Sequence, residues 1–409
     1  MIMIKSNFDS IINRTDTNSL KYDFTSERER PDDILPLWVA DMDFIVAPEI
    51  QQRLYDVVNH GIYGYSDSKD GYYQAIYSWY RSKFNYEIKK EWIVKTPGVV
   101  FALAQAVRAF TKLGDGVIIQ TPVYYPFKEV IIDNGRRVIT NSLVLKNAHY
   151  EIDFDDFEEK IKKEKVKLFI LCSPHNPVGR VWKKDELLKL GQICLKNDVK
   201  IISDEIHSDF IYPGHQHHVF ASLKTELQNI TITCTAPTKT FNLAGLQISN
   251  IFIADEKLRL QFKKAIASTG YSQCNLFGLA ACQTAYESCS SWLEDLKQYL
   301  FENTRFVDEY LKEHIPLIKL IIPEGTYLLW LDFRRLQISD KELNDLLIEH
   351  ARLWLDSGTM FGKEGKGFQR INIACPRAYL RQALNQLKNA LEAVSYTHLR
   401  AHETEADLV

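Results

Sequence analysis

Between about residues 90 and 290 the chain repeats one unit: a short run of apolar, mostly β-branched residues followed by a helix-like stretch. "EWIVK", "GVIIQ", "VKLFILC", "VKIIS" and "ITITC" are such runs, and "VVFALAQAVRAF" and "KKDELLKLGQICLKN" are two of the helical patterns that separate them. A strand that is apolar at nearly every position, rather than at every second one, needs cover on both faces, and helices between successive strands supply it. The repeat therefore predicts an α/β layer architecture around a mostly parallel sheet. Each run also leads into a residue with chemical use: Gly98, Tyr124, Asn176, Asp204 and Lys239. Ligands of open α/β sheets sit at the carboxyl ends of the strands, so the five groups are expected to share one pocket.

From about Cys289 the pattern changes to a long helical stretch, "SSWLEDLKQYLFENTRFVDEYLKEH", then "IKLIIPEGTYLLWLDF", a helix around "DKELNDLLIEHARLW", and "FQRINIACP" before a last helix. The expected organisation is a large domain over 49–289 and a smaller α+β domain from 1–48 and 290–393. The final stretch, 394–409, departs from the helical pattern before it and is expected to be a non-native or disordered tail. The 409 residues are 45% apolar and 25% charged, with a net charge of −3. That composition is ordinary for a globular protein with a sizeable core. No basic stripe suggests nucleic acid and no lysine-rich amphipathic stretch suggests a membrane. Seven scattered cysteines without CxxC spacing and an N-terminus without a long apolar region lead to the expectation of a cytoplasmic protein.

Lys239 lies in "APTKTFNLAGL", just after a strand, where desolvation turns a lysine into a carbonyl-reactive amine. Asp204 ends an apolar strand, where a carboxylate requires a partner, and a protonated pyridine nitrogen is such a partner. Asn176, between prolines in "CSPHNPVGR", has an amide free to donate, and Tyr124 in "TPVYYPF" has a ring suited to stacking on a heteroaromatic plane. The amides of Gly98, Val99 and Val100 open a helix and suit a phosphate. Arg370, inside the apolar strand "FQRINIA", suits a bidentate carboxylate. Taken singly, each has a structural reading: Asn176 closing a turn, Tyr124 in the core, Arg370 paired with a structural acid. The histidines of "PGHQHH" lack a second ligand cluster, and no metal is expected.

Together, "WVADMDF", "YGYSD", "TPGVV", "TPVYYPF", "SPHNPVGRVW", "SDEIHSDF" and "APTKTFNLAGLQ" resemble the fold-type I pyridoxal-phosphate enzymes of the class I/II aminotransferase superfamily. Within it they are similar to the MalY/PatB group of carbon–sulfur lyases, over residues 5–393. The resemblance implies a seven-stranded, mostly parallel sheet sandwiched by helices, plus a smaller α+β domain. It implies Lys239 as the lysine that carries pyridoxal 5'-phosphate, Asp204 on the ring nitrogen, Asn176 on the ring oxygen and Tyr124 stacked on the ring. It further implies Gly98, Val99 and Val100 on the phosphate, and Arg370 on the substrate carboxylate. Tyr65 matches a tyrosine that reaches the cofactor of the neighbouring subunit, which implies a homodimer with shared active sites. His207, assigned to the cofactor, stands where aminotransferases commonly have a tyrosine, and Ala236 and Gln247 stand where a serine and an arginine commonly hold the phosphate. Thr238 is assigned to the cofactor in their place. The implied activity is α,β-elimination from a small sulfur amino acid such as L-cystathionine, in methionine biosynthesis, with a class I/II aminotransferase as the alternative. A third reading keeps the pocket in a protein that acts by protein contact alone.

Overall fold

The computed structural model describes residues 7–406, with side chains described through Ala393. The readings of the first six residues, of 407–409 and of the side chains after 393 lie outside the described residues; the last helix, Arg377–Ala406, continues through the stretch where the helical pattern was expected to end. Two compact units make up the chain. One comprises Ile45–Lys297 with Pro323–Thr326; the other comprises Asn7–Phe44, Gln298–Ile322 and the chain from Tyr327 on.

The larger unit holds a seven-stranded sheet of β1 (Ile93–Thr96), β2 (Gly116–Thr121), β3 (Arg137–Ser142), β4 (Leu168–Cys172), β5 (Lys200–Asp204), β6 (Thr231–Thr235) and β7 (Ser249–Phe252). Their order is β1-β7-β6-β5-β4-β2-β3. β3, β2, β4, β5 and β6 run parallel, whereas β7 is antiparallel to both β6 and β1. β2, β4 and β6 are buried at every position, as strands covered on both faces must be.

One face is covered by the helices Val99–Phe110 and Glu256–Ala267. The first presents Ala102, Leu103, Ala106, Val107 and Phe110, at helical spacing, to Ile119, Ile170, Ile202 and Ile232; the second adds Leu258, Phe262 and Ile266. On the other face Phe169 meets Phe157 of the helix Phe154–Lys163 with ring centroids 4.9 Å apart. Complete burial of a side chain such as Phe169 contributes about 1.5–3 kcal/mol.

The smaller unit contains an antiparallel sheet of β8 (Lys319–Ile321), β9 (Leu328–Asp332), β10 (Asp356–Ser357) and β11 (Phe368–Asn372), in the order β8-β9-β11-β10. Its N-terminal segment is fastened by ion pairs: buried Lys21 meets Asp43 at 2.7 Å, and Arg14 meets Asp41 at 2.6 Å and Asp43 at 2.7 Å. The helix read around "DKELNDLLIEHARLW" is shorter than its pattern suggests. It spans Asp340–Asp345, started by a Ser339/Glu342 capping box, and continues as a π turn over Leu346–His350. Arg352, at φ 52°, then ends it, and Leu353–Trp354 pair instead with Leu35–Pro36 as a short parallel ladder. A distant strand partner here outweighs local helical periodicity.

Candidate active site

Register places the chemically useful residues side by side. Cys172 at the end of β4 pairs with Asp204 at the end of β5, which pairs with Cys234 in β6. Asn176 follows β4 in the chain, Lys239 follows β6, Tyr124 follows β2 and Gly98 follows β1. All five therefore lie past the carboxyl edge of one sheet, within the larger unit.

Asp204 is the most informative group. The residue is 4% exposed, and its side chain accepts a hydrogen bond from the backbone N–H of Ile206 at 3.2 Å. Burial pushes its carboxyl up to about 7; the Ile206 amide and the Lys239 ammonium draw it back down, while the neighbouring Glu205 raises it. Lys239 thus lies within electrostatic reach of Asp204, as the shared-pocket reading requires. A carboxylate so desolvated is held ionised by a cation placed against it, which is what a protonated ring nitrogen supplies.

Lys239 sits in a single helical turn, Pro237–Thr240, entered through Ala236 in extended conformation. The turn is anchored from below: Thr240 Oγ1 donates to Asp209 Oδ2 at 2.7 Å, and Trp79 Nε1 donates to Asp209 Oδ1 at 3.1 Å. Thr238 is buried and its carbonyl accepts the Leu243 amide at 2.9 Å. His207 is also buried, and its carbonyl accepts the Phe210 amide at 3.0 Å.

Asn176 is buried in a tightly held loop. The Tyr124 amide donates to the Asn176 carbonyl at 3.1 Å, which ties the loop after β4 to the one after β2. His175 adds a second tie, its Nε2 lying 3.2 Å from the Gln120 carbonyl; burial draws this imidazole down to about 3, so the ring is neutral and Nε2–H is the donor. Gly179, at φ 71°, closes the loop with an amide bond to the His175 carbonyl at 2.8 Å. A side chain there would meet Pro323 at 2.8 Å, so both the turn and the close approach require glycine. Arg180 fixes the far end, pairing with Glu186 and Glu324, each at 2.9 Å. The Tyr124 ring is half-buried against the apolar core.

Gly98 precedes the helix Val99–Phe110, whose first turn has no side-chain cap. A Cβ added at Gly98 would meet no heavy atom within 4 Å, so there is open space beside Gly98 at the positive end of the helix. An uncapped helix start, a desolvated acid and a neighbouring lysine are a donor set that fits pyridoxal phosphate. Gln247 is exposed, with φ 50°, and Ala236 carries no donor. Tyr65 stands 96% exposed on the same unit.

Arg370 belongs to the smaller unit. It is buried in β11, opposite Asp356 of β10, and its Nη2 donates to the Asp356 carboxylate and, at 3.1 Å, to the Trp38 carbonyl. Burial pushes the Asp356 carboxyl up despite the guanidinium beside it. The structural acid that the sequence left open for Arg370 is therefore present. Among the described residues no cluster of three or more His, Cys, Asp or Glu is arranged for a metal. Of the "PGHQHH" histidines, His217 is buried and bonds Glu205 at 2.9 Å.

Sequence reasoning passed over Asp209, Glu205, His175, Arg180 and Asp356. The signal for the first two was present in "SDEIHSDF", whose three acids cannot all be solvated when they follow an apolar strand. Glu324 and Asp356 come from distant chain segments, and nothing near them in sequence marks their partners.

The chain belongs to the aminotransferase class I and II family, whose model matches residues 38–387. Within that family it is 41% identical to cystathionine β-lyase PatB of Bacillus subtilis over 94% of this chain and all of that protein. It is 33% identical to protein MalY of Escherichia coli K12, covering 95% of this chain and 99% of MalY. Cystalysin from Treponema denticola, solved with pyridoxal 5'-phosphate, superimposes with a TM-score of 0.92 at 40% identity, covering 95% of this chain and 99% of cystalysin. The architecture is the fold-type I arrangement expected from the sequence.

Proposed function

We propose that this chain is a pyridoxal-phosphate-dependent carbon–sulfur β-lyase. It acts on L-cystathionine and related cysteine S-conjugates by α,β-elimination. With cystathionine and water the products are homocysteine, pyruvate and ammonia. The observation that carries the reading is a desolvated Asp204 within electrostatic reach of Lys239, in a chain 41% identical along nearly its whole length to a cystathionine β-lyase.

When bound, the cofactor supplies an electron sink for the pair left at the substrate α-carbon. The residues of this chain do the rest. Gly98, Val99 and Val100 would hold the phosphate through backbone N–H groups, with Thr238 beside them; His207 would contact the cofactor near Asp204, and Tyr124 would stack on the ring. The Asn176 amide would donate to the ring oxygen. Asp204 would meet the protonated ring nitrogen, and that cation would keep its carboxylate ionised. Lys239 Nζ would hold the cofactor and, once freed by the substrate amine, would take the α-proton as general base. Arg370 anchors the substrate carboxylate. The β-sulfur departs as a thiolate and acquires a proton.

A homodimer completes the site. Tyr65 serves the neighbouring subunit's cofactor, and the exposed apolar side chains Tyr55, Val58, Ile62 and Tyr63 beside it suit a contact with a second copy. Seven free cysteines, five of them fully desolvated, fit a reducing, cytoplasmic setting, and release of homocysteine from cystathionine is the basis for placing the enzyme in methionine biosynthesis. No described helix is long and apolar enough to cross a membrane.

The test is pyruvate release from L-cystathionine with no keto acid present. Stoichiometric thiol and pyruvate support the lyase; turnover that requires a keto-acid acceptor identifies an aminotransferase.

A further inference from the structure

The smaller unit contains a cavity of about 850 Å³ to which the elimination chemistry assigns no part. One wall is the indole pair Trp38 and Trp354, stacked 4.4 Å apart at 14°. The Arg28 guanidinium lies over the Trp38 ring at 5.0 Å and that of Arg30 over the Trp354 ring at 5.3 Å. Lys341 lines the cavity from the helix Asp340–Asp345. Among the described residues, none of these three cations has a carboxylate within 4 Å. Glu27 and Asp345 also line the cavity, and neither has a cation at that distance. Both signs of charge are thus present, without being spent on each other, beside a flat aromatic wall.

The cavity adjoins Arg370. Asp356 lines it, and Trp38 forms its wall; these are the two residues that take hydrogen bonds from Arg370 Nη2. A substrate whose carboxylate lies on Arg370 therefore has this cavity within one residue of its anchor. A thioether with an amino-acid head at each end has α-carbons about 7 Å apart when extended. Its second head carries one carboxylate and one ammonium, which calls for the mixture of charges found here.

Resting on the lyase reading above, we infer that the cavity receives the distal amino-acid head of the substrate, so that the enzyme selects thioethers carrying a zwitterion on the leaving group. Arg30 and Lys341 take the distal carboxylate, Asp345 and Glu27 face the distal ammonium, and the Trp38–Trp354 pair supports the connecting methylenes. The arginine–indole stacking pre-orients the guanidinium, so little rotamer freedom remains to be lost on binding.

The experiment compares the dimeric holoenzyme with Arg30→Met and Lys341→Met variants, using two substrates, L-cystathionine and S-methyl-L-cysteine. The readout is the ratio of kcat/KM for the first to that for the second, which cancels any loss of active protein. Removing one charge-assisted contact is expected to lower that ratio about tenfold in each variant, through KM rather than kcat, with Arg30→Lys retaining most of it. A ratio that stays within about twofold of the wild type in both variants overturns the inference. Release of pyruvate from neither substrate by the wild type would instead overturn the lyase reading itself.

Discussion

Replacing Asp204 by asparagine separates the cost of a buried charge from the use made of it. In the folded chain without cofactor, burial raises this carboxyl from an ordinary value of 3.8 to about 7. Each tenfold change in that equilibrium is worth about 1.4 kcal/mol, so ionising Asp204 inside the fold costs on the order of 4 kcal/mol. The sign follows from proton counting. Between about pH 4 and pH 7 the folded state keeps a proton that the unfolded chain has released, so stability falls as pH rises through that window. Asparagine has no such proton. Urea denaturation of the two apoproteins across this range, followed by tryptophan fluorescence, should show the wild type losing about 4 kcal/mol relative to Asp204→Asn. With cofactor bound, a cationic ring nitrogen beside the carboxylate removes the cost, and the same comparison should be nearly flat, while the variant's lyase activity falls by orders of magnitude. Apoproteins whose stabilities run parallel with pH would refute the burial argument. A holoenzyme difference as steep as the apo one would refute the placement of the ring nitrogen.

Two further outcomes follow from the other charged groups. Asp356→Asn leaves the Arg370 guanidinium buried without its carboxylate. It should cost about 3 kcal/mol in denaturation and raise KM for every amino-acid substrate; a loss below about 0.5 kcal/mol would contradict the ion-pair account. Tyr65→Phe should weaken cofactor retention without lowering the stability of the fold, because the side chain is almost fully exposed in its own chain. Mixing Tyr65→Phe and Lys239→Ala proteins should restore up to about a quarter of the activity through hybrid dimers, and no recovery would argue against shared sites.

The elements that could be read from the sequence are those whose neighbours in space are also neighbours in the chain. The helix Val99–Phe110 is framed by Pro97-Gly98 and by a clean 3.6-residue apolar repeat, and it forms over that range. Asp204, Asn176, Tyr124 and Lys239 were legible because each closes or follows a strand whose apolar composition is unmistakable, and the parallel sheet then aligns the strand ends. The supports of those groups were not legible. Asp209 steadies the Lys239 turn and Glu324 grips the Asn176 loop through Arg180, yet each acts on a residue far along the chain. Arg370 shows the same limit: an arginine in an apolar strand announces that it has a partner, while its identity as Asp356 depends on the register of two antiparallel strands. The antiparallel β7 and the short helix Asp340–Asp345 likewise reflect ladder partners that no local pattern encodes.

The central claim is that Lys239 is the amine that holds pyridoxal phosphate and then works as the base. Borohydride reduction of the holoenzyme, followed by peptide mass analysis, tests it most directly. The account predicts the reduced cofactor on the peptide containing Lys239 and on no other, together with a Lys239→Ala protein that still binds the cofactor but releases no pyruvate from L-cystathionine. Label on a different lysine, or normal pyruvate release by Lys239→Ala, would contradict it.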